Sequence, residues 1–319
     1  MSEEVKPATE TTSAEPAVSA PAPAVEDTKD KAEEPTTPEA PVPEPTPTQD
    51  ATSDAPEEPQ NALTKKFTED EWKALKEFKK TLPSVSEEVY GKSESIKLWG
   101  VTLDTSNAKS SVILMKFLRA RDLDVDKAKE MLVKTLKWRI EFKTDDLLNE
   151  EFPQDIFGNV GHIYGNDKEG RPITYNLYGG NKDLKAVFGD VDRFIRWRVA
   201  LMEKGIALID FENIDQMIQV HDYEGVGLNS RDANSKKAAA TATTIFQDYY
   251  PEFLYKKFFV NVPAIFTWIF WLFKPLVSAQ TLAKMSVVGT GPATIGKDLL
   301  PHIDAKELPK RYGGEAEAF

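Results

Sequence analysis

The stretch QMIQVHDYEGVG (216–227), with FQDYYPEFLYKKFFVNVP (246–263) after it, decides the fold. It reads as strand, helix, strand. Side chains alternate along a strand, so Met217, Gln219, His221 and Tyr223 share one face, and Ile218 and Val220 take the other. One face is apolar. The other carries a thioether, an amide, an imidazole and a phenol, which suits a pocket wall better than a core. Two readings of His221 and Tyr223 stay open on residue types alone: polar residues bonded to nearby backbone, or ligand-binding groups.

Outward from this centre, helices alternate with short strands. Val160–Tyr164 and Pro172–Tyr178 read as strands joined by a turn over 166–170. A helix spans Asp192, as its cap, to about Leu208, and another spans 231–247. Strands follow at Phe258–Val262 and Met285–Val288, with a helix at 264–273 between them. The pattern predicts an α/β fold with a largely parallel sheet. Upstream the period is helical. Thr68-Glu-Asp-Glu71 is a capping box, with Phe67 and Trp72 as its hydrophobic staple. That helix runs to about Lys80, 81–110 is irregular or short helix, and a second helix spans Ser110–Arg121. Asp124 caps a third over 125–143, with one stripe from Ala128 to Phe142. Lys127, Lys129, Lys134 and Lys137 lie off the stripe, as a solvated face or a surface for anionic lipid.

Order is expected from Phe67. Residues 1–60 hold fifteen Asp/Glu, three Lys, twelve of the 21 prolines and no aromatic residue. Such a segment buries too little apolar surface to offset its ordering entropy, so 1–62 is expected to be a disordered tail. Its charge is the whole net charge of −12, and the remaining 37 acidic and 37 basic residues balance. A neutral folded part argues against a nucleic-acid binder. There is no cysteine, which removes thiolate metal sites and disulfides. MSEEVKPATE has no apolar run and reads as no secretory signal. The longest apolar run, within 264–273, falls short of the ~18 residues that span a bilayer. The expectation is a soluble or peripheral protein.

Two features carry chemistry. In the helix from Asp192, Phe194, Trp197, Leu201 and Leu208 form one stripe, and Ile195, Val199, Met202, Ile206 and Ile209 another. Arg198 falls between them, while Arg193 and Arg196 fall on the polar side. A guanidinium aimed inward needs an anion, either a protein carboxylate or an anionic ligand. The second feature is AIFTWIFWLFKPLV (264–277), apolar all round and flanked by Lys256, Lys257 and Lys274. It reads as a core helix or one that dips into a membrane interface. No nucleophile elbow, Walker loop, HExxH or nucleophilic cysteine is present, so no enzyme is expected.

FLRARDLDVDKAKEMLVKTLKWR (117–139) resembles the N-terminal helical module of the CRAL-TRIO lipid-transfer family. The set GRPITYNLYG, HDYEGVG, QDYYPEFLYKKFFVNVPAIFTWIFWLFKPLV and LPKRYGG resembles its lipid-binding domain. The likeness covers about 65–319, with a helical module over 63–150 and a lipid-binding domain over 151–319. It implies one deep apolar pocket closed by a mobile gate helix at 264–277, which also meets the membrane. It also implies extraction and delivery of one phospholipid or isoprenoid without covalent catalysis. Within the family the chain is most like the fungal, atypical, haem-binding branch of phosphatidylinositol-transfer proteins. That likeness implies haem b as cofactor, with Tyr223 as the axial phenolate on iron and His221 beside it, placed to accept a hydrogen bond from the phenol or to take its proton. Arg198 and Lys257 would meet the propionates and Tyr178 would line the site. It further implies a cytoplasmic protein peripheral to the endoplasmic reticulum or other internal membranes. Thr241 stands where inositide-binding relatives place an acidic headgroup contact, while the basic partner position is kept as Lys257.

Overall fold

The first long helix starts where its capping box puts it. In α1 (Glu69–Lys80) the Thr68 Oγ1 accepts from the Glu71 amide at 3.2 Å, and the Thr68 amide donates to Glu71 Oε2 at 2.9 Å. Phe67 and Trp72 meet as the staple, ring centroids 5.3 Å apart. Helix α2 (Leu82–Tyr90) follows after one residue, with Pro83 in its first turn. Pro is harmless there because a first-turn N–H has no helical partner. The sequence reading stopped at Pro83 and so left this helix open. Strands β1 (Lys97–Leu98) and β2 (Val101–Thr102) form a small antiparallel pair. Asn107 caps α3 (Ala108–Arg119) and Asp124 caps α4 (Val125–Phe142).

The computed structural model describes residues 58–227, 233–262 and 279–319, all within the unit 55–319. The folded part begins before Phe67. Glu58 pairs with the buried Lys79 at 2.5 Å, and the Asn61 side chain donates to the Phe211 carbonyl at 2.9 Å. The expected tail up to residue 57, and the expected gate helix over 264–277, lie outside the described residues.

After α5 (Gln154–Phe157) the period changes to that of strands. In chain order come β3 (Gly161–Asn166), β4 (Pro172–Leu177), α6 (Leu184–Phe188), α7 (Val191–Ile206), β5 (Met217–Asp222) and α8 (Ala233–Tyr249). Then follow β6 (Leu254–Val260), α9 (Ala279–Ala283), β7 (Met285–Val287) and α10 (Pro292–Leu299). The five strands lie in the order β3-β4-β5-β6-β7. The β3–β4 pair is antiparallel and the others are parallel, so the sheet is mixed and largely parallel as expected.

Helix α7 starts earlier than the sequence reading placed it. Its cap is Asp190, whose carboxylate accepts from the Arg193 amide, and Asp192 sits in the first turn. Either aspartate suits a cap chemically. Leu208, read as part of the inner stripe, lies beyond the helix end and is 58% exposed.

The sheet has two covered faces. Ile218, Val220, Phe258 and Val260 pack on the outer side with Ile295 and Leu299 of α10 and with Tyr312. Met217 of β5 joins α7, α8 and the N-terminal helices in one continuous apolar cluster. Two buried cations pin those N-terminal helices to the sheet domain. Lys116 of α3 donates to the Asp215 carbonyl at 2.5 Å, the Asp215 carboxylate at 2.8 Å and the Glu252 carbonyl at 3.0 Å. Arg139 of α4 makes a two-pronged pair with Glu203 of α7, at 2.7 and 3.2 Å, and reaches Asp145 at 2.8 Å. The Tyr250 hydroxyl donates to the same Glu203 at 2.6 Å. The Tyr-Tyr-Pro-Glu stretch therefore serves the joint between helices and sheet.

Candidate ligand site

The site is the inner face of β4, β5 and β6. Register sets its layout: Thr174, Gln219 and Lys257 lie side by side in one row, and Asn176, His221 and Phe259 in the next. Strand β5 ends at Asp222, one residue short of Tyr223. The Tyr223 ring still sits on this face, 5.1 Å from the Tyr178 ring and 6.4 Å from Phe259, centroid to centroid. The alternation read from the sequence therefore holds, with the phenol at the strand's end.

Half-buried Tyr178 and buried His221 form a bonded pair. The Tyr178 hydroxyl lies 2.7 Å from His221 Nδ1, and His221 Nε2 lies 3.4 Å from Gln219 Oε1. Burial, helped by the Lys257 and Arg198 charges, pushes the imidazole well below its usual value. Burial raises the Tyr178 phenol. Both groups are therefore neutral, so Tyr178 donates to Nδ1 and Nε2 carries the proton towards Gln219, an assignment from the bonding network. The phenol at Nδ1 is that of Tyr178, whereas the sequence places His221 beside Tyr223 to accept a hydrogen bond from it or take its proton.

Arg198 of α7 is 5% exposed and lies over the Phe246 ring, 4.6 Å from its centroid. The sequence left two partners open for it, a protein carboxylate or a ligand anion. Among the described residues no carboxylate pairs with Arg198 or with half-buried Lys257. Burial lowers Arg198, yet a guanidinium stays charged at neutral pH. Burial and the Arg198 charge bring the Lys257 amine down to about 7. The two cations thus meet across the α7–sheet space and repel. By contrast, Lys127, Lys134 and Lys137 of α4 each reach a carboxylate, Asp124, Glu130 and Glu88. These three side chains are exposed.

Sequence reasoning missed several residues here. Asn176 is 1% exposed and its amide has no hydrogen-bond partner among the described residues. Glu203 and Arg139 were hidden because their partners lie 64 positions apart. Thr241 is half-buried on α8. Two open clefts, about 360 and 460 Å³, flank the Arg311–Glu224 pair at the C-terminal ends of the strands. Tyr223 borders the larger, and neither includes Arg198 or Lys257.

A helical bracket thus packs over an α/β sheet, and two cations on the covered face have no carboxylate partner among the described residues. The chain belongs to the CRAL-TRIO family: the CRAL/TRIO domain matches residues 157–314 and the CRAL/TRIO N-terminal domain residues 74–134. It is 38% identical over 258 residues to the phosphatidylinositol transfer protein sfh5 of Botryotinia fuckeliana, covering 76% of this chain and 57% of that one. It is 42% identical over 209 residues to SFH5 of Kluyveromyces lactis, covering 64% and 68%. Patellin-6 of Arabidopsis thaliana is 37% identical over 255 residues, covering 76% and 59%. The match thus spans about three fifths of the Botryotinia and Arabidopsis proteins. The crystal structure of Sfh5 superposes with a TM-score of 0.68 at 31% identity, covering 80% of this chain and 90% of that one. The sfh5 relatives are named for transfer of a lipid and not for a reaction. No described helix is long and apolar enough to cross a membrane.

Proposed function

We propose that this chain is a peripheral carrier that encloses phosphatidylinositol or a similar phospholipid, exchanges it at membranes, and also binds haem b through Tyr223. The observation that carries the reading is the pair of cations, Arg198 and Lys257, facing a covered space with no carboxylate among the described residues. A phosphodiester or a propionate supplies the missing charge through charge-assisted bonds. The sfh5 relatives support the lipid half. A carrier is needed because exposing about thirty methylenes to water costs about 24 kcal/mol at ~0.8 kcal/mol each.

The residues present also fit haem. Arg198 and Lys257 would hold its two carboxylates, Tyr223 would bind iron as phenolate, and Tyr178 and His221 would line the space. Bound haem would supply a redox-active iron, for which a tyrosinate is a known type of ligand. His221, engaged with Tyr178, orients that phenol instead of taking the proton of Tyr223.

The test is the visible spectrum of protein purified from iron-supplied, haem-supplemented cells, beside Tyr223→Phe, with transfer of labelled phosphatidylinositol between vesicles. A Soret band that moves or collapses in the variant supports the haem half. A colourless wild type removes haem and leaves an ordinary lipid carrier. Absence of transfer removes the lipid half.

Binding should also depend on pH. Lys257 sits at about 7 in the unliganded fold, against an ordinary value of 10.5. Between these values the unliganded amine is largely neutral, and an anionic ligand raises it back. Binding of phosphatidylinositol therefore takes up a proton, and its affinity falls as pH rises from 7 to 9, whereas haem would also release the phenol proton of Tyr223 and offset the uptake. Arg198 stays charged and His221 neutral across this range, so neither contributes. Calorimetry in two buffers of different ionisation enthalpy reads the uptake, and Lys257→Met should abolish it. Equal heats in both buffers would refute the assignment.

A further inference from the structure

Asp222 lies between His221 and Tyr223 but points the other way, to the outer face, and is 1% exposed. Its carboxylate gathers separate parts of the chain. Oδ1 accepts from the Glu224 amide at 2.8 Å and from Asn261 Nδ2 at 2.8 Å. Oδ2 accepts from the Tyr312 hydroxyl at 2.8 Å, with Arg311 at 3.4 Å. Its carbonyl accepts from the Tyr178 amide at 3.0 Å, and the next amide, that of Tyr223, donates to the Val260 carbonyl at 3.0 Å.

Each partner is itself held. Tyr312 is fully buried and stacks on Tyr175 at 5.4 Å. Asn261 adopts a left-handed φ of 52° just past the end of β6. Its Oδ1 accepts from the Gly291 amide at 3.3 Å, ahead of α10. Arg311 also pairs with Glu224 at 2.7 Å. The turn that carries Tyr223 and the end of the strand that carries Lys257 are thus tied through one buried carboxylate, and the segment that carries Tyr178 is tied to the same residue through its backbone carbonyl.

We propose that Asp222 is a positioning residue for the ligand site, fixing from behind the sheet the turn of Tyr223 against the ends of β4 and β6. The proposal rests on the reading that Tyr178, Tyr223 and Lys257 face a bound ligand. A buried group that accepts three bonds resists displacement, because shifting any one partner leaves a charge under-solvated. Tyr223 follows Asp222 directly and Glu224, which bonds its carboxylate, comes next, so the phenol inherits that constraint.

Asn261→Gly is the cleanest variant. Glycine accepts the positive φ without strain and removes the side-chain link from Asp222 to Gly291. Asp222→Asn and Tyr312→Phe test the hub itself, and Tyr175→Phe is a control on the same face. The Tyr175 hydroxyl has no hydrogen-bond partner among the described residues. Folding is checked by circular dichroism and Tm. Amide hydrogen exchange on the unliganded chain should then quicken about tenfold or more at 223–226 in Asn261→Gly and Asp222→Asn, and not in the control. In haem-loaded protein the same variants should shift the Soret band and speed haem loss to apomyoglobin. Folded variants with unchanged exchange at 223–226 would overturn the proposal, as would quickened exchange with an unmoved Soret band in loaded protein. A wild type that takes up no haem refutes the haem reading instead. The exchange result, with phosphatidylinositol transfer as ligand readout, then still decides the role of Asp222.

Discussion

Glu203→Ala should cost the chain about 3–5 kcal/mol of stability, the penalty for stripping one partner from a buried ion pair. Glu203 is 5% exposed and Arg139 8%. Glu203 also takes the Tyr250 hydroxyl, so the substitution orphans a guanidinium and a phenol together. Burial alone would lower Arg139, but the Glu203 charge overrides it and raises the guanidinium. Burial and the same carboxylate hold the Tyr250 phenol well above its usual value. Asp145 gives little relief, because its side chain is 91% exposed and its pull is screened by water. Urea unfolding with an unchanged m-value reads the loss. A loss under about 1 kcal/mol would mean that water reaches Arg139 and the pair is not a dry one. Replacing both partners, Arg139→Met with Glu203→Met, should recover the share of the loss due to the orphaned guanidinium, since an apolar pair of similar volume avoids its desolvation cost, and should leave the cost of the unpaired Tyr250 hydroxyl.

Arg198→Met should move stability and affinity in opposite directions. The unliganded chain should gain about 1–4 kcal/mol, because a buried cation without a protein carboxylate is replaced by a side chain of similar length. Affinity for an anionic ligand should fall by about 2–5 kcal/mol, or roughly thirtyfold and more. Thermal unfolding of lipid-free protein reads the first effect, and binding of phosphatidylinositol or hemin reads the second. A less stable unliganded variant with unchanged binding would show that Arg198 is structural. Lys257→Met should behave likewise with a smaller gain, since an amine lowered to about 7 already sheds part of its charge at neutral pH.

How far the sequence could be read follows from how local each signal is. The Thr68 box, the Asp124 cap and the β5 alternation each depend on residues within four positions, and each stands in the structure. The cap of α7 moved from Asp192 to Asp190 because two aspartates near one helix start are equivalent in sequence. Helix α2 was obscured by Pro83, which breaks a helix in its middle and suits one at its start. Within the site, the inward Arg198 was legible from helical periodicity, since a cation between two apolar stripes has only one direction to point. The bond between Tyr178 and His221 was not, because the pair is 43 positions apart and only the β4–β5 register brings it together. Asp222 was concealed by its neighbours: in HDYEG the imidazole and the phenol are the conspicuous groups, while the side chains that donate to the carboxylate lie 39 and 90 positions away.

Lys116 has a consequence for how such chains can be recombined. The two family matches suggest a seam between residues 134 and 157. The ammonium of Lys116 nevertheless sits in a socket made by Asp215 and Glu252, on the far side of that seam. A chimera that joined foreign helices to this sheet domain would leave the socket empty and Glu203 facing no guanidinium. Lock and key on opposite sides of the junction must travel together, so Lys116 with Asp215 and Arg139 with Glu203 form the minimum set to be exchanged as a unit.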